Sequence, residues 1–525
     1  MDFVRRPLEW EVHLSRSASL VDLFGSVARE NSESISVAGG GASITYGELD
    51  RRSEDLARRI RSLTPGGPAF LGVVADRSPD SVVGMMAILK AGHAYVPLDP
   101  FYPLERLHYL LDDAQVSLVV GPREITESFA PQHLGILDPR EAPWEAAPEE
   151  TVGVSDVRIA GSDPAYMIYT SGSTGNPKGC IVTHDNVLSM LRAALPLFDV
   201  SADDRWSIFH SMSFDFSVWE LWGAFAKGSR ATLVPADITQ TPEAFIDFLA
   251  TEEITVLNQV PSVFRHLAKA HAERPEALTA LRHIIFGGEK VDLECVRRFS
   301  LSCGKHVPEF TNMYGITEIT VHATFKRLTE ADFESGISSP IGQPLSNLAI
   351  SIRDEHGVEL PLGETGEMWI TGDGVARGYH RRPESTQKSF AHLSHDSRGT
   401  RYYRSGDLGR ALPGGEFEYV GRADQQVKVM GFRIELGEIE EVLKQHPHVE
   451  DAVVSLVPDR TGTKSLVACF VRRIENDQQV IRELRSYASS KLPRHMAPNR
   501  FRAFDKFPLN SSGKTDRKAL LAVFH

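Results

Sequence analysis

Residues 211–222 read SMSFDFSVWELW, which sets Asp215 between two phenylalanines with Trp219 and Trp222 just beyond it. A carboxylate in such a run loses free energy to desolvation unless a cation or a set of donors meets it. A structural arginine, a helix N-terminus or the cation of a ligand would each answer that demand. A second pattern, YTSGSTGNPKG at 169–179, follows the strand-like run AYMIY. Its hydroxyl residues and glycines (Thr170, Ser171, Gly172, Ser173, Thr174, Gly175) let a backbone wrap closely around phosphate oxygens, and Lys178 adds positive charge. It is not a Walker A loop, because the position that should hold the second glycine is Pro177. Taken alone, the pattern also fits a surface turn.

Three further stretches bear on the choice. NMYGITE (312–318) places the aromatic Tyr314 four residues before the acid Glu318, a spacing that can stack a purine and hold a hard cation from one loop. YRSGDLGR (403–410) reads as ending a strand with Asp407, a carboxylate suited to ribose hydroxyls. NSSGKTDRK (510–518) puts Lys514 in a glycine turn. Each has a plain structural alternative, a capped helix, a hairpin turn or a solvated lysine, but their joint occurrence describes a nucleotide site.

The elements that must position these residues are legible in outline. Up to about residue 420, short apolar runs such as FLGVVA (70–75), VSLVVG (116–121), RATLVPA (230–236) and ITVLNQV (254–260) alternate with helical stretches such as SVVGMMAILKAG (81–92). That alternation predicts α/β layers with largely parallel sheets, whose ligands sit at the carboxyl ends of strands. From about 425 the pattern changes to a hairpin in QVKVMGFRIE, a helix in GEIEEVLKQH and a further strand, a small α+β unit. The boundary falls near GRADQQ (421–426). A chain of 525 residues is too long for one compact core, so the reading is a large N-terminal multi-layer α/β domain (1–422) and a small C-terminal α+β domain (423–525).

Composition removes several classes of function. The net charge is −13 and the basic residues are scattered, which excludes the cationic stripe of a nucleic-acid binder. The four cysteines, Cys180, Cys295, Cys303 and Cys469, show no metal-ligand spacing and read as reduced thiols of a cytoplasmic protein. The N-terminus carries charges where a signal peptide needs its apolar core, and no window reaches the ~18 apolar residues of a membrane span.

With these motifs in hand, the chain resembles an adenylate-forming enzyme, specifically an adenylation domain of non-ribosomal peptide synthesis. ITYGELD (44–50), LKAGHAYVPLDP (89–100), the phosphate loop, FDFSVWE (214–220), NMYGITE, GETGEMWITGDGVARGYHRRPE (363–384), YRSGDLGR, GRADQQVKVMGFRIE (421–435) and NSSGKTDR stand in the family's order, nearly end to end. One departure is Ile316, where the family usually has proline, a change expected to alter loop stiffness more than chemistry.

The resemblance implies an ATP- and Mg²⁺-dependent reaction in two steps. An amino-acid carboxylate attacks the α-phosphate of ATP, pyrophosphate leaves, and a phosphopantetheine thiol captures the aminoacyl adenylate. By matched position, Thr170 to Lys178 would cradle the β- and γ-phosphates. Thr317 and Glu318 would handle the α-phosphate and Mg²⁺, with Glu318 as the metal ligand. Asn312 and Tyr314 would hold adenine with Gly288 and Glu289 alongside, Asp407 and Arg422 would hold ribose, and Lys514 would bridge the substrate carboxylate and the adenylate oxygens. Asp424 matches the family's hinge; rotation about it would withdraw Lys514 and bring the loop around Gly431 to the thioester tunnel.

In amino-acid-activating members the residue matching Asp215 pairs with the substrate ammonium. The remaining matched pocket positions are Phe216, Trp219, Asn258, Ile285, Gly287, Met313, Val321 and His322. Bulky residues leave room for a small side chain, and Asn258 and His322 ask for a hydroxyl. The set matches the family's combination for L-threonine, with serine, 2-aminobutyrate and valine behind it. Few residues follow Lys514 and no carrier-domain serine motif is present, so the expectation is a free-standing enzyme that loads a separate carrier protein, with a small activator protein as a further candidate partner. The rival readings are an acyl- or aryl-CoA ligase of the same superfamily and a catalytically silent scaffold.

Overall fold

The apolar runs read as strands form the centres of two large sheets. In the computed structural model, which describes residues 9–141, 157–172, 176–392, 399–424, 426–458, 464–508 and 515–524, FLGVVA and VSLVVG supply Phe70–Val74 and Leu118–Val120 of one sheet. RATLVPA and ITVLNQV supply Arg230–Leu233 and Val256–Gln259 of the other. Among the described residues the first sheet runs Gly378–Tyr379, Lys178–Thr183, Pro164–Thr170, Ala94–Leu98, Phe70–Val74, Leu118–Val120, Gly135–Leu137. The second is larger and has at its centre the parallel strands Glu309–Asn312, His283–Phe286, Val256–Gln259, Arg205–Ile208 and Arg230–Leu233.

The expectation of largely parallel sheets up to residue 420 holds only to Asn312. From Thr324–Arg327 onward the pairs of this sheet are antiparallel, through Pro340–Pro344, Phe417–Arg422, Arg401–Ala411, Thr365–Gly372 and Leu348–Arg353. The reason lies in the connections. A parallel crossover needs about a dozen residues or more, which the five residues 412–416 between Arg401–Ala411 and Phe417–Arg422 cannot supply.

Two buried helices set the frame around the site. Helix Pro79–Lys90 starts where the Ser78 side chain accepts from the Ser81 N–H, with Pro79 in the first turn, and only Asp80 among its residues escapes burial. Such a helix is apolar all round, and its one internal cation, Lys90, reaches Asp50 at 2.7 Å. Helix Phe216–Lys227 is buried at every residue and stops at Gly228, whose φ of 70° closes it in the left-handed region. Tyr46 Oη donates to Ser229 O at 2.6 Å just beyond that end.

The strand Phe417–Arg422 is the last to join the large sheet. Gln426–Val429 and Phe432–Glu435 then pair only with each other, across a turn in which Met430 (φ 51°) and Gly431 (φ 83°) are both left-handed, the geometry of a tight hairpin. Helix Leu436–Lys444, strands Val449–Pro458, Lys464–Arg472 and Arg500–Phe504, and helix Asp477–Lys491 build a separate core around Ile439, Leu443, Val454, Phe470 and Leu484. Among the described residues no helix is long and apolar enough to cross a membrane.

Candidate active site

A cleft opens between the ends of the large-domain strands and the small domain. Asp215 lies in its wall, 5% exposed, directly before helix Phe216–Lys227. Its side chain makes no capping bond and no described ion pair with arginine, so the two structural explanations for an acid in this run are both set aside. Burial pushes the Asp215 carboxyl up to about 6, against the pull of the Thr317 hydroxyl and of His210 and Lys428, while Glu318 pushes the same way as burial. A buried carboxylate met by a hydroxyl and by no described ion pair can receive a ligand cation.

The sign of its pH dependence follows. Below about pH 6 the empty site holds Asp215 protonated, and an ammonium ligand must displace that proton. Affinity for an α-amino acid is therefore expected to be flat from pH 7 to 8 and to fall, by up to about tenfold per pH unit, below 6. Calorimetric titration across pH 5–8 checks this, and Asp215→Asn should remove the dependence along with the affinity.

Around Asp215, Phe216, Gly287, Met313, Val321 and His322 line the cleft. Trp219, Asn258 and Ile285, expected in the same wall, are fully buried and do not line it; Asn258 and Ile285 sit side by side on neighbouring strands. Trp219 Nε1 donates to Asn258 Oδ1 at 3.0 Å, and the Asn258 amide nitrogen has no partner among the described residues. Both ring nitrogens of His322 are likewise buried without a partner, its ring meeting Phe216 and Trp219 edge-on at 5.4 and 5.2 Å. Burial alone lowers the His322 imidazolium to about 3, so the ring is neutral at physiological pH. At Gly287 a β-carbon would come within 3.2 Å of the Phe216 ring, so a side chain there would crowd this wall.

The second half of the site lies around Tyr314 and Asp407. Asp407 does not end a strand as the sequence suggested. It sits inside Arg401–Ala411, opposite Arg422, because that strand pairs on both sides and continues past a left-handed Gly406 (φ 67°) and a bulge at Leu408/Gly409. Tyr314 Oη donates to Asp407 Oδ2 and Arg422 Nη1 to Asp407 Oδ1, both at 2.7 Å. Burial raises the Asp407 carboxyl, but Lys428 and Arg422 outweigh it and hold it below the usual range. Gly288, Glu289, Asn312 and Tyr314 border a small recess, with Asn312 donating to Pro340 O at 2.7 Å. Asp407, bonded to the Tyr314 hydroxyl and to Arg422, stands beside it.

Thr170 and Ser171 end and follow strand Pro164–Thr170, and Lys178 begins the strand paired with it; Ser173, Thr174 and Gly175 of the phosphate-loop motif lie outside the described residues. Lys178 Nζ stands 4.1 Å over the Tyr379 ring. Thr317 and Glu318 form one turn of 3₁₀ helix preceded by Ile316 at φ −147°, a value outside the range proline can adopt. Glu318 is fully buried, taking the Tyr379 hydroxyl at 2.7 Å and Arg433 at 3.2 Å. Burial would raise it, yet Arg433 and Lys178 hold it below the ordinary carboxylate value.

Arg433 was not singled out in the sequence, nor were Lys428, Phe432 and His495, all of which line the cleft from the small domain. Lys428 stands 5.6 Å over Tyr314, Phe432 packs on Phe214 at 5.2 Å, and His495 stacks on Phe432 at 3.7 Å. The small domain is seated by Ser171 Oγ donating to Arg433 O at 2.7 Å, by Glu289 accepting from the Gly431 N–H at 3.1 Å, and by Arg106 with Glu438 at 2.7 Å. Gly431 must be glycine: besides its left-handed φ, a β-carbon there would lie 2.9 Å from Val260 and 3.1 Å from Phe214. The sequence signal was the motif QVKVMGFRIE itself, whose basic residues alternate along a hairpin. Lys514 lies outside the described residues, while Asp424 pairs with Arg422 at 2.6 Å between the two domains.

Comparison with known proteins places this geometry. The sequence model of the AMP-binding enzyme family matches residues 24–380, and that of the AMP-binding enzyme C-terminal domain matches 438–514. A dimodular nonribosomal peptide synthase of Bacillus subtilis is 39% identical over 96% of this chain, and syringomycin synthase SyrB1 of Pseudomonas syringae is 37% identical over 97%. The chain spans 22% of the length of the Bacillus protein and 82% of SyrB1. Among solved structures, PA1221, an NRPS protein containing adenylation and PCP domains, superposes with a TM-score of 0.81 at 26% identity, covering 98% of each chain.

Proposed function

We propose, for a chain that belongs to the AMP-binding enzyme family and is an amino-acid adenylation domain of the non-ribosomal peptide synthetase kind, that it activates L-threonine and passes it to the phosphopantetheine thiol of a carrier protein. The observation that carries the threonine reading is His322, a neutral ring with two unpartnered nitrogens in a wall otherwise made by Phe216, Val321 and Met313. A ligand hydroxyl can donate to the acceptor nitrogen of that imidazole, while Asn258 stands behind the wall on Trp219 and shapes it without lining the cleft. Val321, which lines the cleft, suits the methyl group. Replacing His322 by leucine should erase the preference for threonine over valine, its isostere without the hydroxyl. Sites that bond a hydroxyl reject analogues lacking it by about 10⁴–10⁵, against ~1–3 kcal/mol for a methylene in an apolar pocket. An unchanged threonine-to-valine ratio in folded His322→Leu, read by ATP–pyrophosphate exchange, would overturn the assignment.

In this reading Asp215 seats the α-ammonium, the recess at Asn312 and Tyr314 takes adenine, and Asp407 with Arg422 takes ribose. The loop from Thr170 to Lys178 and the Thr317 hydroxyl face the phosphates, and Lys514 meets the carboxylate as it attacks. Glu318 fits Mg²⁺: it is buried and held below the ordinary carboxylate value, and Mg²⁺ commonly takes one or two carboxylates with the remaining positions on phosphate and water. Bound there, Mg²⁺ would neutralise charge on the phosphates.

Arg433 occupies one oxygen of Glu318 in the present arrangement. We read this as the arrangement for the second step, with Asp424 as the hinge about which the domain 423–525 turns after adenylation. Arg433→Ala is then expected to leave pyrophosphate exchange within about threefold of wild type. Transfer to a carrier protein supplied separately should slow by on the order of tenfold or more, since a buried charge loses its partner in that state alone. Equal losses in both assays would contradict the reading.

A further inference from the structure

The loop between strand Arg205–Ile208 and Asp215 is pinned from three sides. Arg77 donates to Phe209 O at 2.7 Å, Ser211 Oγ donates to Asp99 at 2.7 Å, and Glu220, fully buried one turn into the following helix, accepts the backbone N–H of Phe209 at 3.3 Å and of His210 at 3.2 Å. Glu220 also meets His210 Nδ1 at 2.9 Å, which fixes the imidazole plane. That ring stacks on Phe216 with centroids 4.5 Å apart and planes at 20°, and meets Phe214 edge-on at 5.2 Å. Phe216 is thus held between His210 on one side and His322 on the other. The other ring nitrogen of His210, Nε2, is buried without a partner among the described residues. Of the small-domain residues that line the cleft, Lys428 pulls the Asp215 carboxyl down.

We propose that His210, held on Glu220, is a positioning residue of the amino-acid site: its ring backs Phe216, the residue next to Asp215, and so fixes the wall against which the ligand's ammonium and side chain are seated. The loop itself does not depend on the ring, because Arg77, Asp99 and the two backbone bonds to Glu220 remain when the ring is removed. His210 touches neither the nucleotide recess nor the phosphate side, so its effect is confined to the amino acid. The inference rests on the amino-acid reading of Asp215; absence of exchange with any amino acid in the wild-type protein would defeat that reading, whereas the results below bear on His210 alone.

The test is ATP–pyrophosphate exchange by His210→Ala and by His210→Asn, which keeps a donor for Glu220, with melting temperature as the measure of folding. For His210→Ala the expected result is a threonine KM raised tenfold or more, with the ATP KM within twofold and kcat within threefold. For His210→Asn it is a smaller rise in the same constant. A folded His210→Ala with wild-type threonine KM overturns the proposal, as does a parallel rise in both KM values. If His210→Ala does not fold, His210→Asn decides, and an unchanged threonine KM there overturns it.

Discussion

Asp215→Asn is expected to lower kcat/KM for threonine in pyrophosphate exchange by about two to three orders of magnitude. The variant keeps the shape of the side chain and removes its charge, so the substrate ammonium enters a buried site without a counter-charge. Breaking a buried pair in this way costs ~3–5 kcal/mol, and each 1.4 kcal/mol is tenfold. ATP affinity should stay near wild type, because Asp407, Arg422 and Tyr314 bond one another and not Asp215. The same substitution should raise the melting temperature of the ligand-free protein. The carboxyl of Asp215 lies higher in the folded chain than the ordinary carboxylate value, so its charge opposes folding once the pH passes that value, fully so above about 6. Neutralising it should recover about 1–3 kcal/mol at pH 8. Loss of activity with gain of stability separates a binding carboxylate from a structural one; a destabilised variant with residual full activity would show the reverse.

Lys514→Ala is expected to reduce adenylation by about 10²–10³, the scale of removing one charge that stabilises a transition state. In the proposed reaction two anions, the substrate carboxylate and the α-phosphate, would come together, and a lysine meeting both would offset the repulsion. Threonine binding measured by calorimetry should change by less than threefold, because Asp215 and the side-chain pocket are untouched. Transfer from chemically supplied threonyl adenylate to a carrier protein should also survive. Equal losses in binding, adenylation and transfer would deny Lys514 a role specific to the first step.

Much of this site could be read from residue types alone, and the failures have a common cause. Asp215 was legible because an acid in an apolar run is costly wherever the chain goes, and Tyr314 and Glu318 because four residues on one loop stay close in any fold. The hairpin at Gln426–Glu435 was legible from its alternation, and the large helices from theirs. Asp407 was misplaced because a strand interior and a strand end look alike when the partner strands, Thr365–Gly372 and Phe417–Arg422, are not yet known. The antiparallel half of the large sheet was missed because apolar runs do not carry direction. Trp219, Asn258 and Ile285 were assigned to the pocket wall by matched position and stand beneath it. Arg433, Lys428 and His495 escaped notice because their roles depend on how the small domain is seated, more than 100 residues along the chain from Glu318. His210 had no pattern around it; only its stacking on Phe216 and its bond to Glu220 mark it.

The central claim is the pairing of an adenylating site with a small hydroxylated amino acid. Its most direct test is ATP–pyrophosphate exchange by the purified protein against the proteinogenic amino acids together with 2-aminobutyrate, salicylate and a short fatty acid. The account predicts a dominant threonine signal, serine as the leading leak because it keeps the hydroxyl and lacks one methyl, and valine and 2-aminobutyrate far below. A valine signal equal to that of threonine, or dominance by a different amino acid, would contradict the pocket reading; exchange driven by salicylate or the fatty acid would contradict the role of Asp215 itself.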